Sequence, residues 1–213
     1  MKLIDLSHPL FDGMPIYPGS ESPTFETVAA ISHEGYAEKR ITLFSHTGTH
    51  LDAPSHILSR GLSLDRLPVN HFAGSASVLD FSSHSGCLIE IDDLMPYRYL
   101  IRKCDFVLIH TGWSRHWGHA SYHTGYPVLS EQAADWICGF ALKGLGVDAI
   151  SVDLLQSPEL PVHRRLLEQQ IILVENLTRL QDLPQSGFTF IALPLHIQDG
   201  DGSPVRAVAM ISD

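Results

Sequence analysis

Three histidines and one carboxylate fall within the run Ser45-His46-Thr47-Gly48-Thr49-His50-Leu51-Asp52-Ala53-Pro54-Ser55-His56. Imidazole nitrogen and carboxylate oxygen are the donors that Zn2+ and Mn2+ accept. Gly48 and Pro54 interrupt the run, so it reads as a shaped loop and not as a plain helix. In extended backbone, residues two apart point the same way, which lets His50 and Asp52 converge. A turn through Thr47-Gly48-Thr49 can return His46 to the same point. Three protein ligands and an open position are the pattern of a catalytic site, where a bound water drops from a pKa of about 15.7 to near 7. His56, just beyond Pro54, is a candidate acid/base, because an unperturbed imidazole titrates at about pH 6.5. The competing reading is a surface loop whose histidines bond to backbone.

Such side chains need a scaffold. The chain has 213 residues, enough for one domain with a sizeable core, and residues 1–213 read as a single domain without linker, repeat or low-complexity segment. Apolar residues make up 44% and charged residues 18%, ordinary for a globular protein. With 14 Lys+Arg and a net charge of -10, nucleic acid and anionic membrane are poor partners. No apolar stretch approaches the roughly 18 residues of a membrane span, and Asp5 and Pro9 come too early for a signal peptide. Cys87, Cys104 and Cys138 form no metal or disulfide pattern, so a cytoplasmic location is expected.

Strands are expected at Lys2–Leu6, Arg40–Phe44, Ser77–Phe81, Phe106–His110, Val147–Val152, Ile171–Val174, Phe188–Leu195 and Val205–Ile211. Phe11–Pro23, with its prolines and glycines, must be a loop, and it presents Tyr17 between Ile16 and Pro18. Ser130 caps a helix expected to run to about Lys143, stopped by Gly144. Pro161 opens a short helix through Leu167. Strands interleaved with two or three helices make an α/β or α+β fold.

The segment His46-Thr47-Gly48-Thr49-His50-Leu51-Asp52-Ala53-Pro54-Ser55-His56 resembles the H-x-G-T-H-x-D-x-P-x-H signature of the metal-dependent cyclase family, which includes bacterial kynurenine formamidases and isatin hydrolases. Asp5-Leu6-Ser7, Pro15-Ile16-Tyr17-Pro18-Gly19, Thr111-Gly112-Trp113 and Ser203-Pro204-Val205-Arg206-Ala207 look like further landmarks in the expected order. His163-Arg164-Arg165-Leu166-Leu167 and Val174-Glu175-Asn176-Leu177 add two more. The resemblance implies an α/β, swivelling β/β/α-type domain with a central barrel-like sheet flanked by helices, usually as a homodimer. It also implies a dinuclear centre. His46 and His50 would bind one metal and His163 the second, with Asp52 and Glu175 bridging and His56 moving the proton. Two Zn2+ per chain or Mn2+ are the expected cofactors. Read without the family, Glu175 is only a carboxylate ending an apolar strand. Asp153 could orient a ligand histidine or cap a helix.

Kynurenine formamidases look to carry tryptophan in the proline loop where this chain has Tyr17, which can still stack on an aromatic substrate. Trp113 opens a His- and aromatic-rich segment reaching His123, either a substrate lid or an exposed loop, and Trp113 is taken as a second substrate contact. The expected activity is hydrolysis of a carbon–nitrogen amide bond. An aryl formamide such as N-formylkynurenine, an intermediate of tryptophan catabolism, would give the amine and formate. The alternatives are a mononuclear Mn2+ hydrolase of an isatin-like cyclic amide, and a non-catalytic metal or small-ligand binding protein on the same scaffold.

Overall fold

Parallel strands buried on both faces are near-continuous apolar runs, and this chain has such runs in Phe106-Val107-Leu108-Ile109 and Ile172-Leu173-Val174. A computed structural model describes residues 1–212. Its strands are β1 (Lys2–Asp5), β2 (Thr24–Ala29), β3 (Glu38–Thr42), β4 (His50–Asp52), β5 (Ala73–Asp80), β6 (Leu88–Ile89) and β7 (Phe106–His110). They continue with β8 (Val128–Leu129), β9 (Gly144–Val147), β10 (Ile172–Glu175), β11 (Ser186–Ile191), β12 (Gly202–Pro204) and β13 (Val208–Ile211). The helices are α1 (Ile31–Glu34), α2 (Ile91–Leu94), α3 (Arg98–Ile101), α4 (Glu131–Ile137) and α5 (Pro161–Glu168).

Among the described residues, nine strands form one sheet in the order β1-β13-β11-β5-β7-β9-β10-β4-β12. The centre, β5-β7-β9-β10, is parallel, and both flanks are antiparallel. The sheet curls into a half-barrel, so the fold is the mixed α/β architecture with a barrel-like sheet expected above. Side chains alternate across it. Phe106, Leu108, Val78 and Val174 face an inner core with Leu6, Leu51 and Phe190. Val107, Ile109, Leu79 and Leu173 face an outer core closed by Ala133 and Ile137 of α4 and Leu166 and Leu167 of α5.

The two outer helices are tied together at their surface. Arg165 reaches Glu131 at 2.6 Å and Asp135 at 2.9 Å. The Ser130 hydroxyl accepts the Ala133 N–H and caps α4, as its sequence position predicts. Helix α4 ends at Ile137, well short of Lys143, and Phe140 folds back onto Trp136 at 4.7 Å between ring centroids.

The strand expected at Val147–Val152 lies earlier, at Gly144–Val147. A Cβ on Gly144 would come within 2.6 Å of Phe106, and one on Gly146 within 2.6 Å of Leu177. Gly144, which read as a helix stop, and Gly146 therefore make room for inner-core side chains inside a central strand. The strand expected at Val205–Ile211 begins only at Val208, and Arg206 before it turns out to Asp5 at 2.6 Å. The hairpin β2–β3 extends the expected Arg40–Phe44 strand toward the N-terminus and stands exposed.

Candidate metal centre

Strand β4 turns His50 and Asp52 to one face, with His50 Nε2 3.2 Å from Asp52 Oδ1. Gly48, at φ +66, turns the preceding chain so that His46 Nδ1 lies 2.6 Å from the same oxygen. Only a left-handed residue makes this return, and Leu10 and Met14 press on Gly48 where a side chain would stand.

His163 arrives on the first turn of α5. Asp153 accepts the backbone N–H groups of Val162 and His163 at 3.0 and 2.9 Å and also meets His163 Nδ1 at 2.7 Å. One carboxylate thus serves the helix start and orients the ring. His163 Nε2 then points at Glu175 Oε1, 3.3 Å away, and at Asp52 Oδ2, 3.6 Å away. Glu175 is fixed from behind by the Val152 N–H at 3.0 Å. Leu160, just before the helix, sits at φ +47, a strained conformation for leucine at the cavity wall.

His56 follows Pro54 in a single 3-10 turn. Its ring lies 4.0 Å from that of His46 and 6.1 Å from that of His163, between centroids. His46, His50, Asp52, His56, His163 and Glu175 line one cavity of about 450 Å³, together with Tyr17, Phe44, Ile150, Asn176 and Asp201.

The electrostatics are those of a site built for positive charge. Burial works against protonation of His46, but Asp52 and Asp201 outweigh it and lift its pKa to about 9. Burial also opposes charge on His163, and the carboxylates of Asp153, Asp52 and Glu175 around it outweigh that and raise its pKa well above the usual value. Burial would raise Asp52, yet His50 and His46 hold it well below the carboxylate range. For His56 burial dominates and pushes the pKa down.

The family model named for the cyclases matches residues 4–154. Kynurenine formamidase of Salinibacter ruber is 32% identical over 215 residues, 98% of this chain and 97% of that one. The chain belongs to the cyclase family. Kynurenine formamidase of Bacillus cytotoxicus is 30% identical over 206 residues, covering 96% of this chain and 95% of the relative. Among solved structures, isatin hydrolase A of Labrenzia aggregata superposes with a TM-score of 0.89 at 26% identity, over 100% of this chain and 94% of that one. An isatin hydrolase bound to the product analogue thioisatinate gives 0.90 at 24% identity, over 100% and 93%, and shares the fold. The chain is a metal-dependent amide hydrolase of the arylformamidase type.

The donor set fits a divalent ion. Among the described residues, three groups, His46-His50-Asp52, Asp52-His163-Glu175 and the less buried His46-His56-Asp201, each bring their ligand atoms within 4.8 Å of one another, and the first two share Asp52. Asp52 Oδ2 is buried without a hydrogen-bond partner among the described residues. A buried carboxylate oxygen left bare is costly in an apolar setting, and a cation satisfies it. One ring nitrogen each of His46, His50 and His163 is held by a partner outside the two groups that share Asp52. His46 Nε2 meets Asp201 at 3.0 Å, His50 Nδ1 meets the Gly48 carbonyl at 2.8 Å, and His163 Nδ1 meets Asp153 at 2.7 Å. Outer partners of this kind orient metal-binding imidazoles.

Of the residues singled out in the sequence, His46, His50, Asp52, His56, His163, Glu175 and Tyr17 meet at the cavity. Trp113 does not line it. Its indole N–H donates to the Tyr122 carbonyl at 3.0 Å, and its ring packs edge-on to Tyr126. The segment Trp113–His123 instead supports the proline loop from beneath, where His123 bonds the Ile16 carbonyl at 2.9 Å. Sequence reasoning missed Asp201 and Asn176. Asn176, at φ +57, donates to the Gly48 carbonyl at 2.8 Å and accepts the Tyr122 hydroxyl at 2.7 Å. Asp201 directly precedes the Gly202-Ser203-Pro204 stretch, the one sequence signal that points to it.

Proposed function

We propose that this protein hydrolyses an aryl formamide, N-formylkynurenine or a close relative, to the free amine and formate. The observation that carries the reading is Asp52, shared by two buried donor groups with one oxygen bare. His46 and His50 would hold one ion and His163 the other, with Asp52 and Glu175 serving both, two Zn2+ being favoured over Mn2+. When bound, such ions polarise an amide carbonyl and supply hydroxide at neutral pH.

The chain's own groups do the rest. Tyr17 stacks on the aromatic ring at the mouth, and Ile16, Phe44 and Ile150 exclude water around it. His56 is held at low proton affinity by burial, so it gives up a proton readily to the departing amine nitrogen. The whole of 1–213 is read as this one hydrolase domain, working in the cytoplasm as a homodimer. Exposed Tyr36, Ile41 and Phe44, with Phe44 also on the cavity wall, offer the second copy an apolar surface.

Metal content by inductively coupled plasma mass spectrometry, followed by formate release from formyl-anilides, tests the reading. About two Zn2+ per chain with turnover supports it, and a metal-loaded protein that releases no formate sinks it. The likeness to isatin hydrolase A favours one second reading, a mononuclear Mn2+ enzyme opening a cyclic amide. His163→Ala separates the two. The dinuclear enzyme loses an ion and its activity, whereas a mononuclear enzyme that does not use His163 loses neither.

A further inference from the structure

Asp201 lies outside the two donor groups that share Asp52, in a third and less buried group with His46 and His56, and its carboxylate reaches both histidines. Oδ2 lies 3.0 Å from His46 Nε2 and 3.9 Å from His56 Nδ1. The backbone around it is locked to the histidine loop. The Ala53 N–H donates to the Asp201 carbonyl at 2.9 Å, and Gly202 pairs with Asp52 where β12 meets β4. A Cβ on Gly202 would stand 2.5 Å from His46 Cε1 and 2.8 Å from Nε2, so the imidazole rests directly on the glycine backbone. The two nitrogens of this ring therefore face different carboxylates, Nδ1 toward buried Asp52 and Nε2 toward half-exposed Asp201.

We propose that Asp201 and Gly202 form a positioning clamp on His46. Asp201 accepts the Nε2–H, which leaves the Nδ1 lone pair aimed at the metal position beside Asp52. Gly202 sets the plane of the ring. The same carboxylate draws on His56 Nδ1, so one residue just before the edge strand β12 serves both a ligand and the proton-transfer group. Neither partner is near in sequence, and only the β12–β4 pairing brings Asp201 to them. The inference rests on the metal-hydrolase reading of the site.

The test is Zn2+ and Mn2+ affinity, measured by competition with a chromophoric chelator, for the wild type, D201A, D201N and G202A. D199A, in the same loop, is the control. D201A and G202A should bind about 10- to 100-fold more weakly. D201N, whose amide oxygen still accepts the Nε2–H, should stay within about threefold, and D199A should match the wild type. Nitrogen NMR of labelled imidazole should show His46 protonated at Nε2 in the metal-loaded wild type and a mixture of tautomers in D201A. Should D201A fold poorly by circular dichroism, G202A and D201N carry the comparison. Unchanged affinity and an unchanged His46 tautomer in D201A overturn the clamp. A wild type that binds neither ion overturns both the clamp and the metal reading. A wild type that binds metal but hydrolyses no amide removes the proposed function and leaves the clamp standing.

Discussion

Glu175 stands directly opposite His50 in the antiparallel pair of β10 and β4, and its Oε2 is 3.5 Å from His50 Nε2. The register of two strands thus brings a residue from the last third of the chain onto a motif in its first quarter. Glu175→Gln keeps the shape and removes the charge. It should lower the metal content by one ion per chain and activity by more than about 100-fold. Metal analysis beside a turnover assay checks this, and two retained ions with undiminished activity would refute the bridging role.

His56 lines the cavity outside the two donor groups that share Asp52, beside His46 and Asp201. His56→Ala should leave metal content unchanged while kcat falls roughly 100- to 10,000-fold, the usual contribution of a positioned acid/base. Near wild-type turnover would remove His56 from the mechanism.

His8 supplies a pH dependence away from the metal. It stacks on Trp117 at 4.0 Å, its Nε2 is buried without a partner among the described residues, and burial pushes its pKa down to about 4. In the unfolded chain it titrates at about 6.5. Below that pH the unfolded chain takes a proton that the folded chain refuses. Its contribution is therefore complete above about pH 6.5 and is lost as the pH falls toward 4. After discounting for partial exposure the loss is on the order of 1–2 kcal/mol. Urea midpoints of wild type and His8→Phe should converge or cross over that window, and parallel curves would count against the assignment.

Phe106 tests the inner core. It is fully buried, 5.2 Å from the Phe190 ring, and fills the space that Gly144 leaves open. Phe106→Ala should cost about 3–5 kcal/mol. Chemical denaturation of the metal-loaded protein measures it, and a loss under about 1 kcal/mol would mean that the half-barrel interior repacks freely.

Local physics is legible in the sequence where one short segment contains the whole interaction. The run from His46 to His56 carries its own donors, its turn at Gly48 and its proline, so the contacts among His46, His50, Asp52 and His56 lie within one short segment. Apolar runs likewise announced β7 and β10, and Ser130 announced the start of α4, because burial and capping act over a few residues. Strand limits failed where packing outweighed propensity, as at Gly144 and Gly146, which sit in a strand only because Phe106 and Leu177 need the room.

Tertiary structure alone decided the second half of the site. Nothing within ten residues of Glu175 tells that it faces His50, or that His163 shares Asp52 with them. Strand register and the docking of α5 onto the sheet place both. Asp201 depends on the same cause. Its carboxylate meets His46 across 155 positions of sequence because β12 finishes the sheet beside β4. Sequence determined which donors the chain owns and which of them are neighbours; the pairing of distant strands determined which of them meet.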